Sequence, residues 1–220
     1  MDYQKIVSST IDFLKSEFKA DSGGHDWFHI ERVWKLSKSI SETEGQVDMF
    51  VLEMGALLHD IADHKFHDGD DTIGPKIAEE YLLQFDIDKI KIEKIVEIVK
   101  EISFKGLGVE TPMSSLEGKI VQDADRLDAM GAIGIARTFA YGGYKNRLIY
   151  DPMVKPICHD SFSAYKSTTA PTINHFYEKL LHLKDRMNTK TALREAERRH
   201  AFMEDFLTNF YRDWASAITD

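Results

Sequence analysis

The sequence has 220 residues, of which 43% are hydrophobic and 11% aromatic, so it can bury a substantial core, and one domain is the simplest expectation. This composition excludes a wholly disordered chain and a collagen-like fibre. The 28 Lys and Arg residues against 37 Asp and Glu residues give a formal net charge of −9, which argues against a broad nucleic-acid-binding surface.

Apolar residues recur with helical spacing along nearly the whole chain, which predicts an all-α fold. Glycines, prolines and polar breaks delimit the predicted helices. They run from about residue 6 to a stop at Gly23, from Asp26 to a stop at Gly45, from Met49 to about Asp63, and over about 75–85, 88–103, 114–139, 173–187 and 189–217. Residues 141–172 hold Gly142, Gly143 and three prolines, and they predict a long loop that is functional or mobile.

Cellular location is predicted from two features. The first residues lack the basic-then-apolar pattern of a signal peptide, and no apolar run approaches the roughly 18 residues that span a bilayer. Cys158 is the only cysteine, so intramolecular disulfides and metal sites built on several thiolates are excluded. We therefore expect a cytoplasmic protein without a membrane partner.

Three clusters of ionisable residues lie on otherwise apolar helices: Gly24–Val33 (GHDWFHIERV), Leu57–Asp63 (LLHDIAD) and Gln122–Ala129 (QDADRLDA). Ionisable groups are costly to bury unless something neutralises them, and a metal ion does so. Ligands that are half imidazole and half carboxylate suit divalent Mn, Fe, Co, Ni or Zn better than Mg, which prefers oxygen.

Helix geometry assigns candidate roles within these clusters. His59 and Asp60 are adjacent and can both close on one ion at a helix end. Asp63 projects from the same side one turn later, where it could hold a water molecule. Arg32 lies one turn after His29, which places it to bind an anion beside the ion, although an ordinary salt bridge on a solvated face is an equal alternative.

The pattern of His29, the doublet His59-Asp60 and a later Asp in ADRLDA resembles the HD-domain metal-dependent phosphohydrolases. The surrounding motifs GHDWFH and DADRLDA look like those of the small bacterial nucleotide pyrophosphohydrolases within that superfamily. The resemblance spans roughly residues 20–215. It implies a single HD-type helical bundle over 1–220, with a metal-binding core at about 20–140 and additional C-terminal helices at 173–217.

The resemblance places the metal ligands on His29, His59, Asp60 and Asp125. Asp123 and Asp128 remain alternatives to Asp125: helix counting puts Asp125 and Asp128 on one face, whereas the Ala-Asp step of the family motif favours Asp125. His64 and His67 do not fit the extra-histidine pattern of the cyclic-nucleotide phosphodiesterases, whose second metal site needs more histidines at wider spacing. We therefore expect one divalent ion, with Mn first and Mg, Co, Ni, Fe or Zn as alternatives.

The implied activity is hydrolysis of a small phosphorylated metabolite, with a nucleotide as the first candidate. A nucleoside triphosphate would give a monophosphate and pyrophosphate, and simple phosphate release is the next possibility. Asp63 is expected to accept or steer a water proton, with Arg32 beside it. The candidate substrate contacts are Arg32, Lys65, Arg126, Arg137, Lys145, Arg147 and Lys179, with Tyr141 or Tyr144 stacking on a base.

The last predicted helix offers a different class of function. Mostly apolar residues recur along it in steps of three and four as a near-heptad stripe: Leu193, Ala196, His200, Met203, Leu207, Phe210 and Trp214. This stripe predicts either docking on its own domain or a seam for a partner or a homodimer. A non-catalytic regulatory or scaffolding HD protein is therefore the alternative to an enzyme.

Overall fold

The computed structural model describes residues 2–18, 26–61, 72–102, 111–157 and 170–215. Within these residues the chain forms nine α-helices and two 3-10 turns and no β-strand, which confirms the all-α prediction. The α-helices are α1 (Tyr3–Glu17), α2 (Trp27–Ser41), α3 (Met49–Leu58), α4 (Ile73–Leu82), α5 (Lys89–Glu101), α6 (Leu116–Asp128), α7 (Gly131–Tyr144), α8 (Asn174–Glu178) and α9 (Lys190–Trp214), and the 3-10 turns are Leu180–His182 and Lys184–Arg186. None of the described helices is long and apolar enough to cross a membrane.

Helix α3 is the centre of the bundle. It packs against α1, α2, α5 and α6, and every residue from Phe50 to Leu58 is buried. A helix that is apolar on all sides has to be buried in this way. The carboxylate of Asp48 begins the helix by accepting from the backbone N–H groups of Phe50 and Val51. The end of α3, where His59 follows, therefore lies inside the protein.

Helix α2 lies across α3 and α6 and begins where the sequence predicts. The Asp26 side chain accepts from the backbone N–H of His29 at 3.0 Å, as an N-cap does. His29 thus lies in the first turn of α2. Its side chain is buried towards α6, because it contacts Asp128 at the end of that helix.

The single helix predicted over 114–139 is two helices. Helix α6 ends at Asp128, Met130 is extended, and Gly131 has φ +69°, a left-handed conformation that favours glycine. An isolated glycine within a helical pattern is a weak break signal, which is why the sequence does not predict it. The turn folds α7 back so that Arg137 reaches Asp128.

Helix α3 is shorter than predicted. It ends at Leu58, and the N–H of Ile61 donates to the carbonyl of Leu58 at 3.0 Å, which is the tighter 3-10 pattern. His59 and Asp60 therefore belong to a turn. The predicted one-turn spacing from His59 to Asp63 requires one continuous helix over these residues, but α3 ends before them. Asp63 itself lies outside the described residues.

The glycine-rich segment 141–144 is the last turn of α7, not the start of the predicted loop. A Cβ on Gly142 would lie 2.2 Å from Oγ1 of Thr172, so the glycine permits close packing of α7 on Thr172. The helix predicted over 173–187 is also wrong, because α8 gives way to the two 3-10 turns after Glu178.

The apolar stripe of α9 packs mainly on its own chain. Ala196, Met203 and Leu207 are buried, and α9 lies against α6 and α7. Leu193 and Trp214 at its two ends are 38% and 52% exposed. Of the two predictions for this stripe, docking on its own domain is the one that these contacts support.

Candidate metal centre

Four side chains from three parts of the chain converge at the end of α3. Nε2 of His29 lies 3.2 Å from Nε2 of His59. Oδ2 of Asp60 is 3.3 Å from the first nitrogen and 3.7 Å from the second, and Oδ1 of Asp125 is 3.6 and 3.9 Å from them. Ligands about 2.1 Å from one ion are roughly 3.0–3.4 Å apart, or more when they face each other across it. This is the quartet predicted from the sequence.

The second nitrogen of each imidazole sets its tautomer. Nδ1 of His59 lies 2.8 Å from the carbonyl oxygen of Ala56, which can only accept a hydrogen bond, so this nitrogen carries the proton. Nδ1 of His29 lies 2.8 Å from the carboxylate of Asp128 and donates to it. In the neutral rings both Nε2 atoms are therefore free of hydrogen and point into the cluster, as metal-binding histidines require.

The donor set fits a divalent cation. Ligand atoms of His29, His59 and Asp125 all lie within 4.8 Å of one another, and an oxygen of Asp60 lies 3.3 and 3.7 Å from the two imidazole nitrogens. So many lone pairs and negative charges in one place are unfavourable unless positive charge lies between them. Burial and the charge of Arg137 both act to lower the pKa of His29, yet hydrogen bonds to Asp128 and Asp60 outweigh them and raise it above 6.5. The cluster thus attracts a cation, whether a proton or a metal.

The centre has a closed side and an open side. The His29 and His59 side chains are each 1% exposed, whereas those of Asp60 and Asp125 are 22% and 36% exposed. The imidazoles therefore form the floor of the site. A ligand approaches an ion held here from the side of the two carboxylates.

Asp128 joins this centre to two arginines. Its carboxylate accepts from Nε and Nη2 of Arg32 at 2.6 and 3.0 Å and from Nη1 of Arg137 at 2.8 Å, besides Nδ1 of His29. Burial would raise the pKa of Asp128, but the hydrogen bonds from His29 and Arg32 hold it well below its ordinary value. The carboxyl is thus ionised, and Arg32 forms a salt bridge, although with a buried aspartate and not on the solvated face that the alternative supposed.

The two alternative aspartates point away from the ligand atoms. Asp123 accepts from the backbone N–H groups of Asn188 and Thr189, at 2.9 and 2.8 Å, and anchors the start of α9. Asp128 contacts the far side of the His29 ring. Of the three carboxylates, only that of Asp125 lies with the Nε2 atoms, on the ligand-atom distances described above.

Arg126 is turned into the protein. Its guanidinium donates to the carbonyl oxygen of Arg186 and, at 2.9 Å, to Oγ1 of Thr111, and the residue is buried. These contacts link α6 to the C-terminal segment, so they do not support the predicted role of Arg126 in substrate binding.

The other predicted substrate residues are only partly placed. Nζ of Lys145 lies 5.7 and 5.1 Å from the ring centres of Tyr141 and Tyr144, and the Arg147 guanidinium lies 5.7 Å from that of Tyr141, which is cation–π range. Lys179 is half-buried between α8 and the first 3-10 turn. Asp63 and Lys65 lie outside the described residues, so their roles stay predictions.

Comparison with known proteins identifies the family. The HD domain model matches residues 27–130, which contain all four convergent side chains. The Bacillus subtilis protein YpgQ is 40% identical over 205 residues, covering 91% of this chain and 90% of YpgQ. The chain belongs to the HD-domain family.

Solved relatives have the same overall fold. An HD-superfamily hydrolase from Bacillus thuringiensis is 43% identical, with 98% of this chain and 100% of that chain covered and a TM-score of 0.75. A Lactobacillus plantarum protein is 33% identical, with 96% and 97% covered and a TM-score of 0.85. YpgQ has been solved in complex with ADP. When the two structures are aligned, 94% of this chain and 97% of that YpgQ chain are covered, with 35% identity and a TM-score of 0.72.

Metal binding at this HD site should strengthen as pH rises. In the metal-free chain the raised pKa of His29 stabilises the fold below pH 6.5, and that contribution is lost as pH rises through the folded pKa. A metal ion needs the deprotonated ring, so its affinity changes in the opposite direction. We expect the increase in melting temperature on adding Co²⁺ to be larger at pH 8 than at pH 6, measured by thermal unfolding. A shift that is larger at pH 6 would contradict this.

Proposed function

We propose that this HD-domain protein is a metal-dependent phosphohydrolase that acts on a small phosphorylated metabolite, with a nucleotide as the first candidate. The observation that carries the proposal is the quartet of His29, His59, Asp60 and Asp125 beside the paired guanidiniums of Arg32 and Arg137. A cation site next to two fixed arginines suits a substrate that brings its own negative charge. The ADP complex of YpgQ supports a nucleotide as that substrate.

In this proposal, different residues bind the metal ion, orient the phosphate and move the water proton. The quartet holds one divalent ion, with Mn²⁺ as first choice, and when bound the ion supplies Lewis acidity towards a phosphoryl oxygen and acidifies water. Arg32 and Arg137, whose side chains are 33% and 19% exposed, orient the phosphate. Asp63 takes or steers the water proton in this proposal.

Helix α7 offers a path for the rest of the substrate. Tyr141 follows Arg137 by one helical turn and therefore lies on the same face, with Cβ atoms roughly 5–6 Å apart. Lys145 and Arg147 surround its ring. A nucleotide with one phosphate at Arg137 would extend along α7, with further phosphates near these cations or its base against Tyr141.

Within this class we favour cleavage of a nucleoside triphosphate into a monophosphate and pyrophosphate. The words GHDWFH and DADRLDA support it, because they resemble those of the nucleotide pyrophosphohydrolases. Release of a terminal phosphate uses the same centre and is the alternative product pattern. Both are hydrolyses, so one phosphorus–oxygen bond breaks and water supplies the new oxygen in either case.

The test is a panel of ribo- and deoxyribonucleoside triphosphates and diphosphates incubated with Mn²⁺, Mg²⁺, Co²⁺ or Ni²⁺ in ¹⁸O-water. From the triphosphates we expect pyrophosphate, and label in the monophosphate if water attacks the α-phosphorus or in pyrophosphate if it attacks the β-phosphorus. Orthophosphate as the first product from a triphosphate would overturn the pyrophosphohydrolase assignment. If the metal-loaded chain releases neither pyrophosphate nor orthophosphate from any nucleotide, a nucleotide is not the substrate. If it also fails to hydrolyse sugar phosphates, the proposal of a phosphohydrolase is overturned.

A further inference from the structure

Asp128 has a concentration of contacts that neither a helix cap nor a simple ion pair requires. Its side chain is 2% exposed, and its two oxygens accept four hydrogen bonds from three side chains. Oδ1 accepts from Nε of Arg32, and Oδ2 accepts from Nη2 of Arg32, Nη1 of Arg137 and Nδ1 of His29. One buried carboxylate thus contacts a candidate metal ligand and two arginines.

The electrostatic position of Asp128 explains this arrangement. The guanidiniums of Arg32 and Arg137 donate to the carboxylate that accepts from Nδ1 of His29, so their positive charges lie close to the centre and oppose the binding of a divalent cation. The negative charge of Asp128 lies between these guanidiniums and the ring. It neutralises one of the two positive charges and holds the other side chain in a fixed direction.

The same carboxylate controls the His29 proton. Since it can only accept, it keeps the proton on Nδ1 and leaves Nε2 for an ion. An amide at this position could instead donate to Nδ1, which would move the ring proton to Nε2 and block a ligand atom.

We propose that Asp128 is a positioning residue that makes metal binding compatible with two neighbouring arginines, by fixing the donor nitrogen of His29 and by screening both guanidiniums from the cation. The proposal rests on the proposed metal centre but not on the identity of the substrate. It predicts that the loss of Asp128 weakens metal binding by two separable routes, one through the tautomer and one through charge. The charge route should be reversed when an arginine is also removed.

The experiment measures the Co²⁺ affinity of the full chain by visible absorption, with Mn²⁺ affinity by electron paramagnetic resonance as a second readout. Asp128→Asn should weaken Co²⁺ binding about 10–100-fold. Asp128→Asn combined with Arg137→Gln should recover about tenfold of that loss, because one repelling charge is gone. Arg137→Gln alone should leave the affinity unchanged or raise it.

Asp123→Asn is the matched control, because Asp123 is also a buried aspartate of α6 but holds the start of α9. It should lower the melting temperature and leave the Co²⁺ affinity and spectrum unchanged. If Asp128→Asn fails to fold, the Arg137→Gln measurement still decides, since a fall in affinity of more than threefold contradicts screening by Asp128.

The remaining outcomes separate the two proposals. Wild-type protein that binds neither Co²⁺ nor Mn²⁺ overturns the metal centre and the proposed function with it. Wild-type protein that binds metal, with an Asp128→Asn variant that binds it equally well, overturns only the role of Asp128. If the Asp128→Asn variant binds metal weakly and the added Arg137→Gln substitution does not improve that binding, the proposed screening of the guanidiniums by Asp128 is overturned.

Discussion

Replacing Asp60 with Ala is expected to reduce phosphate or pyrophosphate release about 10³-fold, equivalent to ~4 kcal/mol of transition-state stabilisation. The variant removes one of the two carboxylates that face the imidazole nitrogens, at 3.3 and 3.7 Å, so it also loses half of the negative charge that would balance a cation. Its Co²⁺ affinity should fall at least about 100-fold, since the substitution removes a ligand itself.

The fold should survive this substitution, because the Asp60 side chain is partly exposed and lies in the turn after α3. Asp86→Ala is a suitable control, since Asp86 is an exposed aspartate between α4 and α5. It should match the wild-type chain in metal affinity and turnover. An Asp60→Ala variant that keeps both bound metal and phosphate release would disprove the whole centre.

Replacing Arg137 with Gln is expected to lower kcat/KM about 10–100-fold, mainly through a higher KM. A hydrogen bond to a charged group contributes about 1.5–3 kcal/mol, and a binding interaction made equally in the ground and transition states appears in KM. The measurement is steady-state kinetics with a nucleoside triphosphate at saturating metal. The metal affinity of the same variant should not fall, because Arg137 donates to Asp128 and not to a ligand atom in this hydrogen bond, and its positive charge opposes a bound cation.

The control for Arg137 is Arg198→Gln. Arg198 is exposed on α9 and pairs with Glu195 in the same helix, at 2.6 and 2.9 Å, so its loss should leave both kinetic constants unchanged. A general effect of lowering the positive charge of the protein would appear in both variants. If Arg137→Gln left KM unchanged and lowered only kcat, uniform phosphate binding by Arg137 would be the wrong interpretation.

Patterns that are local in the chain were predictable. Apolar residues at helical spacing were enough for the all-α class, and Asp26 was identifiable as an N-cap because a cap satisfies backbone groups only three residues away. The three clusters that contain the candidate ligands were identifiable because an ion of this kind is bound by imidazoles and carboxylates together. Such residues are costly to bury on apolar helices unless an ion neutralises them. The types of residue in these clusters therefore indicate a metal site without any knowledge of the fold.

Side-chain directions were not predictable. Arg126 and Asp125 are neighbours in one motif, yet Asp125 faces the imidazoles whereas Arg126 reaches Arg186 and Thr111. Helix counting placed Asp125 and Asp128 on one face, but they approach His29 at different nitrogens. The carbonyl of Ala56, which fixes the tautomer of His59, has no sequence signal at all, since every residue carries one.

The amino-acid sequence by itself determined that this protein is helical and which imidazoles and carboxylates are available for a cation. Only the tertiary structure decided how they are used. The turn at Gly131 returns Arg137 to the end of α6, and the crossing of α2 with α6 brings Asp128 to the far nitrogen of His29. The physical reason is that helical periodicity constrains residues three or four apart, whereas these contacts depend on how separate helices pack around a common core.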